Sequence, residues 1–194
     1  SIDLSLSLNN TDTINNRTIF NSNIRFPAPS EDGYFVTAHI DNSHFYLDGN
    51  HWKFKESEIS YKPKYISINN FGFENNDQHL LIDGVLSENR EDTCMISIQN
   101  LDASMFNAFT KQDFNIAGRI TGDGEFVSLF SNPGLFVDID AENVSVSGKD
   151  AGTLCVKTKW DENNMRINYL VTDVVGEAMP LNLTGFYVPE TKQI

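Results

Sequence analysis

From Tyr65 onward the chain alternates apolar and polar residues with a period of two, as in YISINNFGF, HLLIDGVLS and TCMISIQN. A strand repeats its side-chain direction every second residue. The pattern therefore predicts an all-β fold whose strands each carry one apolar and one polar face. The earlier part follows the same rule with longer interruptions. Ile2, Leu4, Leu6 and Leu8 alternate with polar residues, an asparagine-rich turn follows, and a short strand runs through Ile24 and Phe26 until Pro27 and Pro29 break it. Next come GYFVTAHID and HFYLDGNHWKF, with Asp48-Gly49-Asn50 placed for a hairpin turn. One segment breaks the period. Leu101, Met105, Phe106 and Phe109 are spaced as on a helix face, with Asn100 positioned as an N-cap, which predicts one short helix near 101–109.

The stretch FNIAGRITGDGEF (114–126) raises the question of a phosphate-binding loop, and its flanks answer it. A P-loop continues into Gly-Lys-Ser/Thr, whereas Gly124 is followed by Glu125 and Phe126. A dinucleotide site needs a helix to open after the glycines, and here strand alternation continues. Parity explains the glycines better. Phe114, Ile116, Gly118, Ile120, Gly122, Gly124 and Phe126 share one face, so the glycines sit among inward apolar side chains. Glycine inside a strand marks a bend or a close approach, which predicts a curved sheet with a partly clear concave side. The unit apolar-x-apolar-x-Gly recurs as Leu80-Ile82-Gly84, Phe114-Ile116-Gly118, Val144-Val146-Gly148 and Leu181-Leu183-Gly185, its glycines separated by 34, 30 and 37 residues. Such a quasi-period signals a stacked, repetitive architecture. We therefore expect an elongated, curved antiparallel sheet with an irregular β segment over 1–62 that is continuous with a repetitive glycine-strand segment over 63–194. The last unit breaks off soon after Gly185, which leads us to expect that the native protein continues.

Composition narrows the function classes. With 27 Asp+Glu against 14 Lys+Arg the net charge is −13, so no basic patch for nucleic acid or an anionic membrane is expected. No run of 18 apolar residues suggests a membrane-spanning helix. The opening SIDLSLSLNN has neither a basic nor an apolar leader region, so compartment has to be argued from elsewhere. Two cysteines make no disulfide framework. Cys94 shares the apolar face of Ile96 and Ile98, while Cys155 alternates with Lys157 and Lys159 on the polar face, so both thiols are expected to be free. His39, His44 and His51 flank one hairpin without the cysteines or carboxylates that would complete a zinc site, and no metal or cofactor is expected. Asp138, Asp140 and Glu142 alternate with Val137, Ile139 and Ala141, as on a solvated strand face, and do not follow a calcium-loop pattern. No Gly-x-Ser-x-Gly elbow occurs, and neither cysteine has a histidine placed to activate it, so no enzyme activity is expected.

The run from His51 to Phe109, with its D-G-x-L-S strand (Asp83–Ser87) and its N-L-D-x-S turn (Asn100–Ser104), followed by 114–161 with the Pro133-Gly134 step, resembles the TamB family of translocation and assembly module proteins, in a Bacteroidetes-like form. The resemblance covers about residues 45–194 and fades over 1–44. It implies a β-taco, a sheet folded lengthwise with an apolar lining. It also implies a place in the periplasm, with the full-length protein anchored to the inner membrane. The implied clients are phospholipids or outer-membrane proteins, and an outer-membrane assembly protein would be met through parts outside this chain. The inner face would then comprise Leu80, Ile82, Gly84, Phe114, Ile116, Gly118, Ile120, Val144, Val146, Gly148, Leu181, Leu183 and Gly185. Twelve or so strands in two walls would give a groove of roughly 29 Å. A filled sandwich core would show the same alternation, and the inward glycines favour the groove. The alternative function is a secreted β-sandwich module for glycan binding or adhesion, with Trp52 and Trp160 as its candidate aromatics. Trp160 is in phase with Leu154 and Val156, which places it inside.

Overall fold

The structure is a computed structural model, and it describes residues 2–10, 16–26, 33, 35–47, 50–109, 115–131, 133–161, 166–173 and 182–188. The alternation produces strands throughout: β1 (Ile2–Asn10), β2 (Asn16–Arg25), β3 (Val36–Ile40), β4 (Ser43–Leu47), β5 (Asn50–Phe54), β6 (Ser57–Lys62) and β7 (Tyr65–Asn75). They continue as β8 (Gln78–Leu86), β9 (Thr93–Asp102), β10 (Ile116–Val127), β11 (Gly134–Val146), β12 (Lys149–Asp161), β13 (Arg166–Asp173) and β14 (Asn182–Tyr187). All belong to one curved, antiparallel, 14-stranded sheet. No helix among the described residues is long and apolar enough to cross a membrane.

The connectivity is simpler than the strand order suggests. β2 pairs with both β3 and β4, and β7 pairs with both β5 and β6. β3 with β4, and β5 with β6, are thus the two halves of interrupted strands, and the whole sheet is an up-and-down meander. Short antiparallel connections favour this arrangement because sequential strands meet through local turns. The hairpin β6–β7 carries the sheet without a break across Pro63, from Lys62↔Tyr65 to Glu58↔Asn69.

The interruptions line up. Asp41 N–H donates to Asn21 O at 3.0 Å, and Lys55 N–H donates to Gly72 O at 2.9 Å. Asn70 Nδ2 donates to Glu56 O at 2.8 Å, and Asn70 N–H donates to Asp83 Oδ2 at 2.8 Å. A crease therefore crosses neighbouring strands from Asn21 to Asp83, with side-chain and loop acceptors holding backbone groups that leave the ladder.

Three asparagines extend this irregularity. Asn70, Asn100 and Asn143 have φ of +56°, +49° and +52°, the left-handed conformation that asparagine tolerates better than most residues. Each sits at a shift in register on β7, β9 or β11. Each inserts one extra residue, as a β-bulge does, and so switches the parity of the inward face. Ile66 and Ile68 point inward before the first bulge, Phe71 and Phe73 after it. Ile96 and Ile98 give way to Leu101, and Ile139 and Ala141 to Val144 and Val146.

The expected helix is present in altered form. It is a 3-10 helix over Ala103–Phe109, and Leu101 and Asp102 still belong to β9. Asn100 is a bulge residue and does not cap it. The cap is Asp102, whose Oδ1 accepts the Ser104 N–H at 2.9 Å, the role a short carboxylate fills at an N-terminus. Leu101, Ala103 and Met105 are all buried, so the apolar residues of this segment serve the end of β9 and the tight helix alike. The side chains of Phe106 and Phe109, and the turn residues Asp48 and Gly49, lie outside the described residues.

Candidate functional site: an apolar sheet face

The strand registers gather one apolar face. Across the sheet, Phe54 pairs with Phe73, Phe73 with Leu80, Leu80 with Ile98, and Ile98 with Gly122. The row continues through Ile139, Val156, Val171 and Leu183. Eight steps between adjacent strands at about 4.8 Å make it roughly 38 Å long. A second row runs beside it from Phe71, Ile82 and Ile96 through Gly124 and Val137 to Thr158, Tyr169 and Gly185. The opposite face carries Asp123, Asp138 and Lys157 at the corresponding level. Lys157 Nζ meets Asp138 Oδ2 at 2.9 Å, and this hydrogen bond raises the lysine pKa.

Leu80, Ile82 and Gly84 on β8 face inward with Ile116, Gly118 and Ile120 on β10, Val144 and Val146 on β11, and Leu183 and Gly185 on β14. Gly148 does not join them. It lies in the turn between β11 and β12 with φ +76° and open space around it. The turn Ser147-Gly148 has two positive φ values, as a tight hairpin requires, so this glycine serves chain reversal and not the inner face. Phe114 and Leu181 lie outside the described residues.

One end of the face is closed. Phe45 stacks on Trp52 with ring planes 11° apart, and Trp52 meets Phe73 edge-on at 5.4 Å between centroids. Leu101 and Met105, brought over by the end of β9 and the 3-10 helix, complete this cluster with Leu80 and Ile98. Trp52 is 2% exposed and Leu101 0%. Further along, the face is only half-buried, and Leu183 at the far edge is 51% exposed. The chain exposes 12398 Å² in all, against about 9300 Å² for a compact globule of this mass. That excess fits an extended sheet whose apolar face stays partly exposed beyond the closed end.

The aromatic closure was not anticipated, although Phe45, Trp52, Phe54 and Phe73 stand at alternate positions in their strands, which is the signal that would have found it. Both tryptophans are buried on the inner side, Trp160 at 6% exposure, and neither indole N–H has an acceptor among the described residues. The thiols lie as parity predicts: Cys94 is buried on the inner face, Cys155 is half-buried on the charged face, and both are free. Burial raises the Cys94 pKa, helped by Asp83, and burial with a hydrogen bond to Asp140 raises that of Cys155. Thiols so placed are poor nucleophiles. Among the described residues no three His, Cys, Asp or Glu side chains converge as a metal centre. Comparison of the chain with protein-family models, curated proteins and solved structures gives no match.

Proposed function

We propose that this chain is a non-enzymatic segment of a periplasm-spanning envelope protein of the TamB type, and that its apolar face is a track for the acyl chains of phospholipids or for outer-membrane protein clients. In the full-length protein this segment would be held by an inner-membrane anchor, with its outer-membrane partner met through other parts. One observation carries the reading: the continuous cross-strand row from Phe54 to Leu183, partly exposed beyond its closed end and open at Leu183. Apolar surface left in water forgoes about 25 cal/mol per Å², so an open row of this length favours an apolar occupant. One leaflet of hydrocarbon is roughly 15 Å thick, and an acyl chain laid along the row fits within it. The rival glycan-binding reading needs an exposed aromatic platform, and burial of Trp52 and Trp160 weighs against those residues supplying one.

A matched pair of substitutions tests the reading. Val171 lies on the apolar row and Leu170 on the charged face opposite Lys157. Purified chain is titrated with a fluorescent fatty acid. Wild type and Leu170→Asp should bind it alike, and Val171→Asp should bind at least about tenfold more weakly, the effect of roughly 1.4 kcal/mol, with an unchanged far-ultraviolet circular dichroism spectrum. Absence of binding by wild type, or equal loss in the two variants, would sink the proposal.

A further inference from the structure

The four histidines, at positions 39, 44, 51 and 79, all project from the charged outer face, since Ile40, Phe45, Trp52 and Leu80 beside them point inward. Two of them meet. His44 on β4 and His51 on β5 are diagonal neighbours across the hairpin, with Tyr46 directly opposite His51. Their ring centroids are 5.3 Å apart and their planes are inclined by 57°. Two imidazoles bound to one tetrahedral ion at about 2.0–2.1 Å hold their centroids roughly 5 Å apart. Tyr46 packs against both rings, with centroids 4.9 Å from His51 and 6.3 Å from His44, which limits the rotamers the pair can adopt. Both rings line a cleft of about 490 Å³ on this face, together with Lys53, Lys55, Glu56 and Glu74. The two carboxylates offset the two ammonium groups there, and the net charge of −13 raises the local concentration of cations.

We propose that His44 and His51 form a two-imidazole chelate for a borderline divalent cation, copper(II), nickel(II) or zinc(II), with water in the remaining positions. Paired imidazoles favour these ions over magnesium or calcium, which take oxygen ligands. The site joins β4 to β5 directly behind the Phe45–Trp52 stack, so the bound ion would clamp the hairpin that closes one end of the apolar face. His39 and His79 stand apart from this pair, each beside carboxylates: His39 Nε2 lies 3.4 Å from Glu56 and 3.5 Å from Asp41, and His79 Nδ1 lies 3.6 Å from Glu74.

The experiment uses the untagged chain and nickel chloride or copper chloride alone. Calorimetric titration should give one equivalent bound by wild type, with affinity lowered roughly tenfold or more in His44→Ala and in His51→Ala, and unchanged in His39→Ala and His79→Ala. Copper(II) electron paramagnetic resonance should show two coordinating nitrogens in wild type and one in His51→Ala. Because His51 is exposed, its removal leaves the fold intact, which a melt without metal checks. No binding by wild type, a nitrogen count unaffected by His51→Ala, or equal weakening by His39→Ala would each overturn the assignment.

Discussion

Asn100 donates its backbone N–H to the Thr121 hydroxyl at 3.0 Å while its own φ stands at +49°. The side chain of a neighbouring strand thus replaces a ladder acceptor at the point where β9 takes one extra residue. Asn70 and Asp83 repeat the device one hairpin earlier, at 2.8 Å. Asn100 also reaches Asp77 through its Nδ2, so the bulge is held from both sides. We expect Asn100→Val to cost about 1–3 kcal/mol, since a β-branched residue is strained in the left-handed region. Thr121→Val should cost about 1 kcal/mol by leaving the N–H without its acceptor, and Asn100→Gly should be milder than Asn100→Val. Urea unfolding orders the three. If Asn100→Val is as stable as wild type, the bulge is not what holds this conformation.

The same asparagines explain where the sequence was legible and where it was not. Strand existence was readable from period two because each strand has one apolar face. Reading β9 as one phase, however, leaves Leu101 out of step with Ile98, and the discontinuity looks like the start of a helix. A bulge of one residue produces the same slip. The signature was present in ISINNFGF, ISIQNLDA and IDAENVSV, where an asparagine stands before the apolar residue that resumes the face. The glycine repeat was a weaker guide, because Gly148 has a turn's reason for being glycine and Gly84 a strand's. The inner-face residues could be listed from parity, but the closure of one end by Trp52, Leu101 and Met105 depends on a register between distant strands that no local pattern encodes.

Gly84 and Gly122 are fixed by close approach as well as by conformation. A Cβ on Gly84 would run into the Thr93 carbonyl oxygen, and one on Gly122 into that of Asp138, and both residues have positive φ. Gly124, one step along β10, has ordinary φ and its nearest neighbour at 3.7 Å. Gly84→Ala and Gly122→Ala should each destabilise the fold by about 2 kcal/mol or more. Gly124→Ala should be neutral, or should stabilise by up to about 1 kcal/mol through the unfolded chain. Thermal melts of the three variants decide it, and equal effects would mean that the strands are less tightly apposed than this register requires.

Trp52 combines near-complete burial on the inner face with an indole N–H that has no acceptor among the described residues. Trp52→Ala should cost about 3–5 kcal/mol through the cavity it leaves beneath Phe45 and Phe73. Trp52→Phe keeps a stacked ring and removes the unpaired donor, whose burial carries a penalty of about 1–3 kcal/mol. Its net cost should fall below about 1.5 kcal/mol. A phenylalanine variant as unstable as the alanine variant would show that the indole N–H has a partner after all.

The last prediction concerns alkaline pH. Burial, with a smaller contribution from Asp83, raises the Cys94 thiol above its ordinary value near 9.0. The folded state therefore holds this proton more tightly than the unfolded chain does. The resulting stabilisation is fully present below about pH 9 and is lost as pH rises through the folded pKa, because the unfolded chain releases its proton first. Cys94→Ala lacks this titration, although it starts less stable through lost packing. The gap in urea midpoint between wild type and Cys94→Ala should be constant well below the thiol's ordinary value near 9.0 and should shrink as pH rises above it. Taking the difference cancels the titration of lysines and tyrosines common to both. A gap that stays constant throughout would place Cys94 in a wetter environment than the inner face beside Gly84 and Phe126, its partners in the register.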